Sequence, residues 1–395
     1  MRWKVACPSS NGLKLPSKCC RMSAWRFLSK MVKIMMNAGY VCITRITGKT
    51  EFMPSSNSDT TTITTREALI KGFLERSGFS AAERHKLPGD ASFRRYERLI
   101  HNGKSYMLMD APPPKENVRS FMNVDRYLIK QQMSAPVILA DDPENGFLLL
   151  EDLGVDSYSL VLKADINKEE SLYLHAMEAL IHVQNAPLPS DIPDYTREKL
   201  LQETLLLTEW YMPLIGRSAA AIQKSEATYK SIMEKLIATI PPSPRVVVLR
   251  DYHADNLMWL PDRETYKRAG LLDFQDAVIG HPAYDVVSLL EDARRDVRKE
   301  TVIACLDYYL AKQKAYDKTS FMMTYALLGA QRNCKIIGIF SRLAKRDGKK
   351  HYLDMIPRVW NHLTHDVAHP ALKELKEWLD SEFPSELRKQ KPELV

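Results

Sequence analysis

Three consecutive valines and a leucine, Val246–Leu249, run straight into Arg250-Asp251, and this junction constrains the chain more than any other segment. A β-branched run of this kind favours a buried strand, so Asp251 stands in the loop at a strand end. Asn256 follows five residues later. Two apolar arms, Leu257–Leu260 and Ala269–Leu272, then read as a hairpin whose second arm delivers Asp273. Asn256 and Asp273 flank the open end of that hairpin, so it brings them together. Gly280 and Asp285 stand seven and twelve residues beyond Asp273.

An Asp with an Asn five residues on, taken alone, reads as ordinary loop or turn residues. The strand before it, the hairpin after it and the second Asp make it specific. Phosphoryl transfer needs a carboxylate beside the attacking hydroxyl and an oxygen-rich Mg²⁺ site from an Asn and an Asp nearby. Asp251, Asn256 and Asp273 supply that set in the order of a kinase-like catalytic loop and its metal-binding Asp.

The remaining pattern places this constellation late in a two-part body. Arg66–Ser77 reads as a short amphipathic helix with Thr65 as its N-cap. Tyr96–Ile100 and Ser105–Met109 form a hairpin around Asn102-Gly103, a helix covers Val118–Gln132, and strands follow at Pro136–Ala140 and Gly146–Leu150. Beyond Leu153-Gly154 the helical spacing takes over at Glu169–Gln184, Arg197–Met212, Asp285–Arg298, Thr301–Lys312, Thr319–Ala344 and Ala371–Phe383. Strand signals return only at Arg245–Arg250, Leu257–Leu260 and Ala269–Phe274. The expected fold is α/β (α+β) and protein-kinase-like in two lobes. A sheet-rich nucleotide-binding N-lobe spans 65–150, and a larger helical C-lobe spanning 151–385 carries catalysis and substrate binding.

Residues 1–64 are foreign to this body. The first 50 residues hold 10 Lys/Arg, no Asp or Glu, and four of the six cysteines. The net charge of +7 comes from that head; the remainder carries 46 basic against 49 acidic residues, so the body is not a basic nucleic-acid-binding surface. Three readings of the head stay open: a targeting segment, a nucleic-acid tail, or a stretch upstream of a true start near Met53. No run of 18 apolar residues occurs, and no metal-type Cys/His spacing. With Cys305 and Cys334 the only body cysteines, a reducing cytoplasm is the expected compartment.

From Leu87 to Trp378 the chain resembles the aminoglycoside phosphotransferase and choline kinase group, and within it the bacterial cell-wall sugar kinases. The carriers are Leu87-Pro88-Gly89-Asp90-Ala91-Ser92-Phe93-Arg94-Arg95-Tyr96, Leu108-Met109-Asp110-Ala111-Pro112-Pro113-Pro114 and Leu148-Leu149-Leu150-Glu151-Asp152-Leu153-Gly154. They continue with Arg250-Asp251-Tyr252-His253 through Asn256, Leu272-Asp273-Phe274-Gln275-Asp276-Ala277 through Tyr284-Asp285, and Gln331-Arg332 through Arg342-Leu343. The resemblance implies ATP- and Mg²⁺-dependent phosphorylation of a small-molecule hydroxyl, with the anomeric hydroxyl of N-acetylmuramate or N-acetylglucosamine leading. It makes Asp251 the base or orienting carboxylate and Asn256 and Asp273 the Mg²⁺ ligands. Gly89, Ser92 and Arg94 form the turn over the phosphates, and the hinge around Glu151 and Leu153 meets adenine. Asp285 braces the loop.

Two departures stand out. Leu249 occupies the place where protein kinases put a His, so the loop needs another brace. The strand that normally supplies a phosphate-binding Lys reads Tyr106-Met107-Leu108-Met109-Asp110, which leaves Arg94 or Arg95 to take over. His253 either faces the cleft near the transferred phosphate or braces the loop. Arg332, Lys335 and Arg342 are either a solvated basic face or, at Arg332 and Arg342, a wall of the substrate pocket, where a lactyl carboxylate would suit a bidentate Arg. His175 and His182 read as core or partner histidines. The rival readings are a kinase for an aminoglycoside or amino alcohol, and a nucleotide-binding pseudokinase.

Overall fold

The computed structural model describes the backbone of residues 40–44, 50–54, 58–88, 93–242 and 244–393, with side chains from Thr65 onward. Most of the basic head, and Gly89 and Ser92 of the expected phosphate turn, lie outside the described residues. The chain forms two units, one ending at Gly72 and one running from Phe73. In the first, β1 (Tyr40–Thr44) pairs antiparallel with β2 (Thr50–Pro54). Helix α1 (Ser58–Arg76) follows. It starts earlier than the Thr65 cap pattern predicts, because threonine's helix penalty of a few tenths of a kcal/mol, roughly, is too small to stop it.

The second unit begins with a five-stranded antiparallel sheet in the order β3-β4-β5-β7-β6. Its strands are β3 (Glu83–Lys86), β4 (Arg95–His101), β5 (Lys104–Asp110), β6 (Ile138–Asp142) and β7 (Phe147–Glu151). Asn102 and Gly103 close the β4–β5 hairpin with φ of 51° and 71°, the left-handed pair that a tight two-residue turn demands. Helix α2 (Val118–Lys130) has Asn117 as its cap. The β7 residues Leu148 and Leu150 join α2's Phe121 and Leu128 in one core, while Phe147 stacks on Phe73 at 5.5 Å. Both faces of β7 are therefore covered, which is why its sequence is apolar without alternation.

After the hinge come α3 (Tyr158–Ala164), α4 (Glu169–Asn185), α5 (Arg197–Thr204) and α6 (Ala219–Ala238). Two small antiparallel pairs follow. One joins β8 (Val246–Val248) to β11 (Val278–Gly280), and the other joins β9 (Leu257–Trp259) to β10 (Ala269–Leu271). Helices α7 (Ala283–Leu290), α8 (Lys299–Lys312), α9 (Lys318–Asp347), α10 (Ile356–Asp366), α11 (Lys373–Glu382) and α12 (Ser385–Lys389) complete the helical part.

Three further expected helices differ in extent or continuity. The helix read as Arg197–Met212 is interrupted by a π-helical turn at Leu207–Tyr211. There α9 comes so close that a Cβ on Gly338 would sit 2.3 Å from the Leu206 carbonyl carbon. The helix read as Asp285–Arg298 stops at Leu290, because the Asp292 side chain accepts from the Arg294 N–H at 2.8 Å and closes a competing turn. The Ala371–Phe383 helix starts at Lys373, after a 3₁₀ turn at Pro370–Leu372. Helices α3, α6, α10 and α12 lie outside the segments read from periodicity. In α10, Pro357 sits in the first turn, where a missing N–H costs nothing.

Candidate active site

Strand β8 ends in a sharp bend. Arg250 adopts a φ of 71°, rare for a residue with a side chain. The bend is held by α7: the Leu249 N–H donates to Asp285 Oδ2 at 2.6 Å and the Arg250 N–H to Oδ1 at 2.8 Å. Ser288 Oγ donates to the Arg250 carbonyl at 3.0 Å. From α4 the Ala176 carbonyl accepts the Tyr252 hydroxyl at 2.7 Å. Burial pushes the Asp285 pKa up to about 7, against the pull of its two backbone donors. For Asp251, burial also works upward, but the neighbouring cations Lys335, Arg332 and Arg250 outweigh it and hold the carboxylate below its ordinary range.

The β9–β10 hairpin does what its sequence predicts. Leu257 pairs with Leu271, and one step further the Leu272 N–H donates to the Asn256 carbonyl at 3.0 Å. The Asn256 amide nitrogen donates to the Asp251 carbonyl at 3.0 Å and lies 3.5 Å from Asp273 Oδ2. Asp273 takes a φ of 55° and accepts from Gln275 Nε2 at 2.9 Å. Desolvation raises its pKa even though 44% of the side chain is exposed, and the nearby Asp251 charge adds to the rise. An amide oxygen and one carboxylate are hard donors that suit Mg²⁺, with waters and phosphate oxygens filling the shell. Among the described residues no group of three or more His, Cys, Asp or Glu is placed to hold a metal alone. Arg94 Nη1, 3.6 Å from Asp273 Oδ1, shows that this carboxylate already attracts a cation.

Arg94 enters from just before β4. Its Nε lies 3.6 Å from Glu116 Oε2, while Glu116 Oε1 accepts the Phe93 N–H at 3.0 Å. Arg95 instead pairs with Asp110 at 2.9 Å and is 58% exposed, so of the two arginines Arg94 is the one at the cleft. Arg94 lines a cavity of about 280 Å³ together with Leu87, Met109, Leu150, Leu153 and Met258. This largely apolar slot is lined by the hinge and by Asn256 and Asp273. The hinge side chains are anchored elsewhere, Glu151 to Arg263 at 2.7 Å and Asp152 to Arg98 at 2.6 Å.

Burial narrows one expectation and corrects another. His253 is 3% exposed, and its contacts favour the loop-bracing reading. Its Nε2 lies 3.2 Å from Arg294 Nη1 and 3.3 Å from the Asn256 amide nitrogen. Both partners are donors, so Nε2 is the acceptor and the proton is assigned to Nδ1. Burial and then Arg294 lower its pKa to about 3, which leaves a neutral imidazole bracing the loop.

Arg332 and Arg342 do not share a pocket wall, nor do Arg332 and Lys335 form a solvated face. Arg332 is 3% exposed and donates to Ser288 Oγ at 2.8 Å from behind the loop. Arg342 lies ten residues, about 15 Å, further along α9. Lys335 is buried against Glu203 at 3.0 Å, and the same carboxylate receives Arg250 at 2.5 Å and the Tyr195 hydroxyl. His175 stacks on Trp259, and His182 on Tyr266, as packing residues.

The sequence profile of the phosphotransferase enzyme family matches residues 83–321. An N-acetylmuramate/N-acetylglucosamine kinase of Caulobacter vibrioides is 40% identical over 362 residues, covering 82% of this chain and 98% of its own. Among solved structures, a choline/ethanolamine kinase family protein from Mesorhizobium loti matches with a TM-score of 0.56 at 13% identity, over 80% of this chain and 99% of its own. An ADP-bound aminoglycoside phosphotransferase gives a TM-score of 0.51 at 16% identity, over 74% of this chain and 94% of its own. A kinase-like two-lobed fold, a loop bearing Asp251 and Asn256 beside Asp273, and a family match over more than half the chain agree: this protein is a kinase of the phosphotransferase enzyme family.

Proposed function

We propose that the protein transfers the γ-phosphoryl group of ATP to the anomeric hydroxyl of an amino sugar, N-acetylmuramate or N-acetylglucosamine. The observation that carries this reading is the junction of Asp251, Asn256 and Asp273, tied through the Asn256 amide at 3.0 and 3.5 Å. The substrate class rests on the Caulobacter relative. A cytosolic place of action fits the two buried free thiols, Cys305 and Cys334.

The apolar slot between Leu150 and Met258 has the chemistry to take a purine beside the hinge. Arg94, seated by Glu116, supplies the positive charge that the Met107–Met109 strand lacks. The resemblance assigns Gly89 and Ser92, which lie outside the described residues, to a turn over the phosphates. Asn256 and Asp273 would hold Mg²⁺, which when bound neutralises charge on the phosphate oxygens.

The acceptor oxygen forms its bond to the γ-phosphorus as the bond from that phosphorus to the bridging oxygen breaks, and ADP departs. Asp251 accepts the hydroxyl hydrogen bond and takes up the proton late. With its pKa held low it is a weak base, so orienting the nucleophile is its larger contribution.

The test is ADP release by purified protein with Mg-ATP and N-acetylmuramate, N-acetylglucosamine, an aminoglycoside or choline. Turnover confined to the two sugars is the expected result. Turnover with the aminoglycoside or choline alone would reassign the acceptor, and nucleotide binding without turnover on any of the four would favour a pseudokinase.

A further inference from the structure

A second cavity, of about 540 Å³, opens beside the catalytic loop and shares no lining residue with the apolar slot. Its walls come from four distant parts of the chain: Ser159 and Lys163 of α3, Asp255 of the loop itself, Arg294 after α7, and His351 with Tyr352 after α9. Arg294 ties this wall to the loop. Its Nη1 reaches His253 Nε2 at 3.2 Å and its Nε lies 3.4 Å from Asp255 Oδ2. Its Nη2 has no protein partner among the described residues, and 33% of the side chain stays exposed. Neighbouring Arg295, by contrast, is committed to Glu169 and Tyr173 at 2.8 and 2.9 Å.

The lining is thus cationic, with one carboxylate and several hydroxyl or imidazole groups. Such a wall repels a polycation and attracts a hydroxylated anion. Asp255 suits sugar hydroxyls, and a guanidinium edge beside an ammonium suits a carboxylate. The size falls within the range of small-molecule sites.

We propose that this cavity receives the acceptor, and that Arg294, supported by Lys163, binds the carboxylate of a sugar acid. This makes Arg294 the residue that favours N-acetylmuramate over N-acetylglucosamine, which has no carboxylate. The inference rests on the amino-sugar reading above and goes beyond it by naming the group that distinguishes the two sugars. Arg294 also steadies His253, so its loss lowers turnover of both sugars; the discriminating quantity is the ratio of their kcat/KM values.

The experiment compares that ratio in the unsubstituted protein, Arg294→Gln, Arg294→Lys and Lys163→Gln, using both sugars with Mg-ATP. A charge-assisted contact of this type contributes on the order of tenfold or more. The N-acetylmuramate preference should fall about tenfold in Arg294→Gln, recover in part in Arg294→Lys, and fall severalfold in Lys163→Gln, which lies outside the loop network. An unchanged ratio in both Gln variants, with both sugars turned over, overturns the anchor and leaves the kinase reading standing. No turnover of either sugar by the unsubstituted protein rejects the amino-sugar reading, and the anchor with it.

Discussion

Asp285 accepts the backbone N–H of Leu249 at 2.6 Å, from a helix that begins thirty-four residues further along the chain. This bond answers the question raised by Leu249, which stands where a loop-bracing His would be expected. The brace comes from α7 and grips the backbone, so the side chain at position 249 is free to be apolar and buried. Replacing Asp285 with Asn keeps the shape but turns an NH₂ toward one of the two N–H donors. Asp285→Asn should lose roughly 2–4 kcal/mol of stability, the range for an unsatisfied group in a buried charged network, and turnover should fall with it. Urea unfolding followed by circular dichroism would check the first, and a coupled ADP assay the second.

Arg94 and Glu116 form the cation site that β5 does not provide. Arg94→Met should raise the KM for ATP about tenfold or more, and Glu116→Gln about fivefold, because the carboxylate only seats the guanidinium. Arg95→Met should stay within about twofold, since its partner is Asp110 on the neighbouring strand. Steady-state titration with Mg-ATP would separate the three.

Asp125 on α2 is 2% exposed, and its Oδ1 has no hydrogen-bond partner among the described residues. Burial pushes its pKa from 3.8 up to about 7. Between those two values the folded chain holds a proton that the unfolded chain has lost, so this group makes stability fall as pH rises from about 4 to 7. Asp125→Asn should remove that slope and raise stability at pH 8 by roughly 2–4 kcal/mol relative to its effect at pH 4. Denaturant midpoints measured at the two pH values would show it.

At Gly338 a single methyl group has no room beside Leu206. Gly338→Ala should cost about 1–3 kcal/mol through overpacking of α9 against the π-helical turn, despite alanine's better helix propensity. A lowered thermal midpoint would register the cost.

Much of the site was legible in the sequence because hairpin chemistry is local. Asn256 and Asp273 are brought together by a short two-strand register that apolar spacing predicts, and Asn102-Gly103 announces its own turn. What stayed hidden depends on contacts distant in sequence. Arg332 and Lys335 look like a solvated stripe on a helix, yet Ser288 and Glu203 bury them behind the loop. His253 sits two residues from Asp251 and nevertheless is buried as a brace of the loop, because Arg294, forty-one residues on, captures its ring nitrogen. Glu116, next to the proline-rich bend after β5, carries no local signal of its pairing with Arg94. The one clue was negative: a strand without lysine had to be complemented from elsewhere.

The central claim is that Asp251 aligns the acceptor hydroxyl for transfer to oxygen. The most direct measurement is ³¹P NMR of sugar phosphate formed from Mg-ATP and N-acetylmuramate by the unsubstituted protein and by Asp251→Asn, with nucleotide affinity measured in parallel. A loss of about a thousandfold in rate is expected, in line with removal of a group that both orients and deprotonates, with ATP binding preserved. Near-normal product formation by Asp251→Asn would contradict the account.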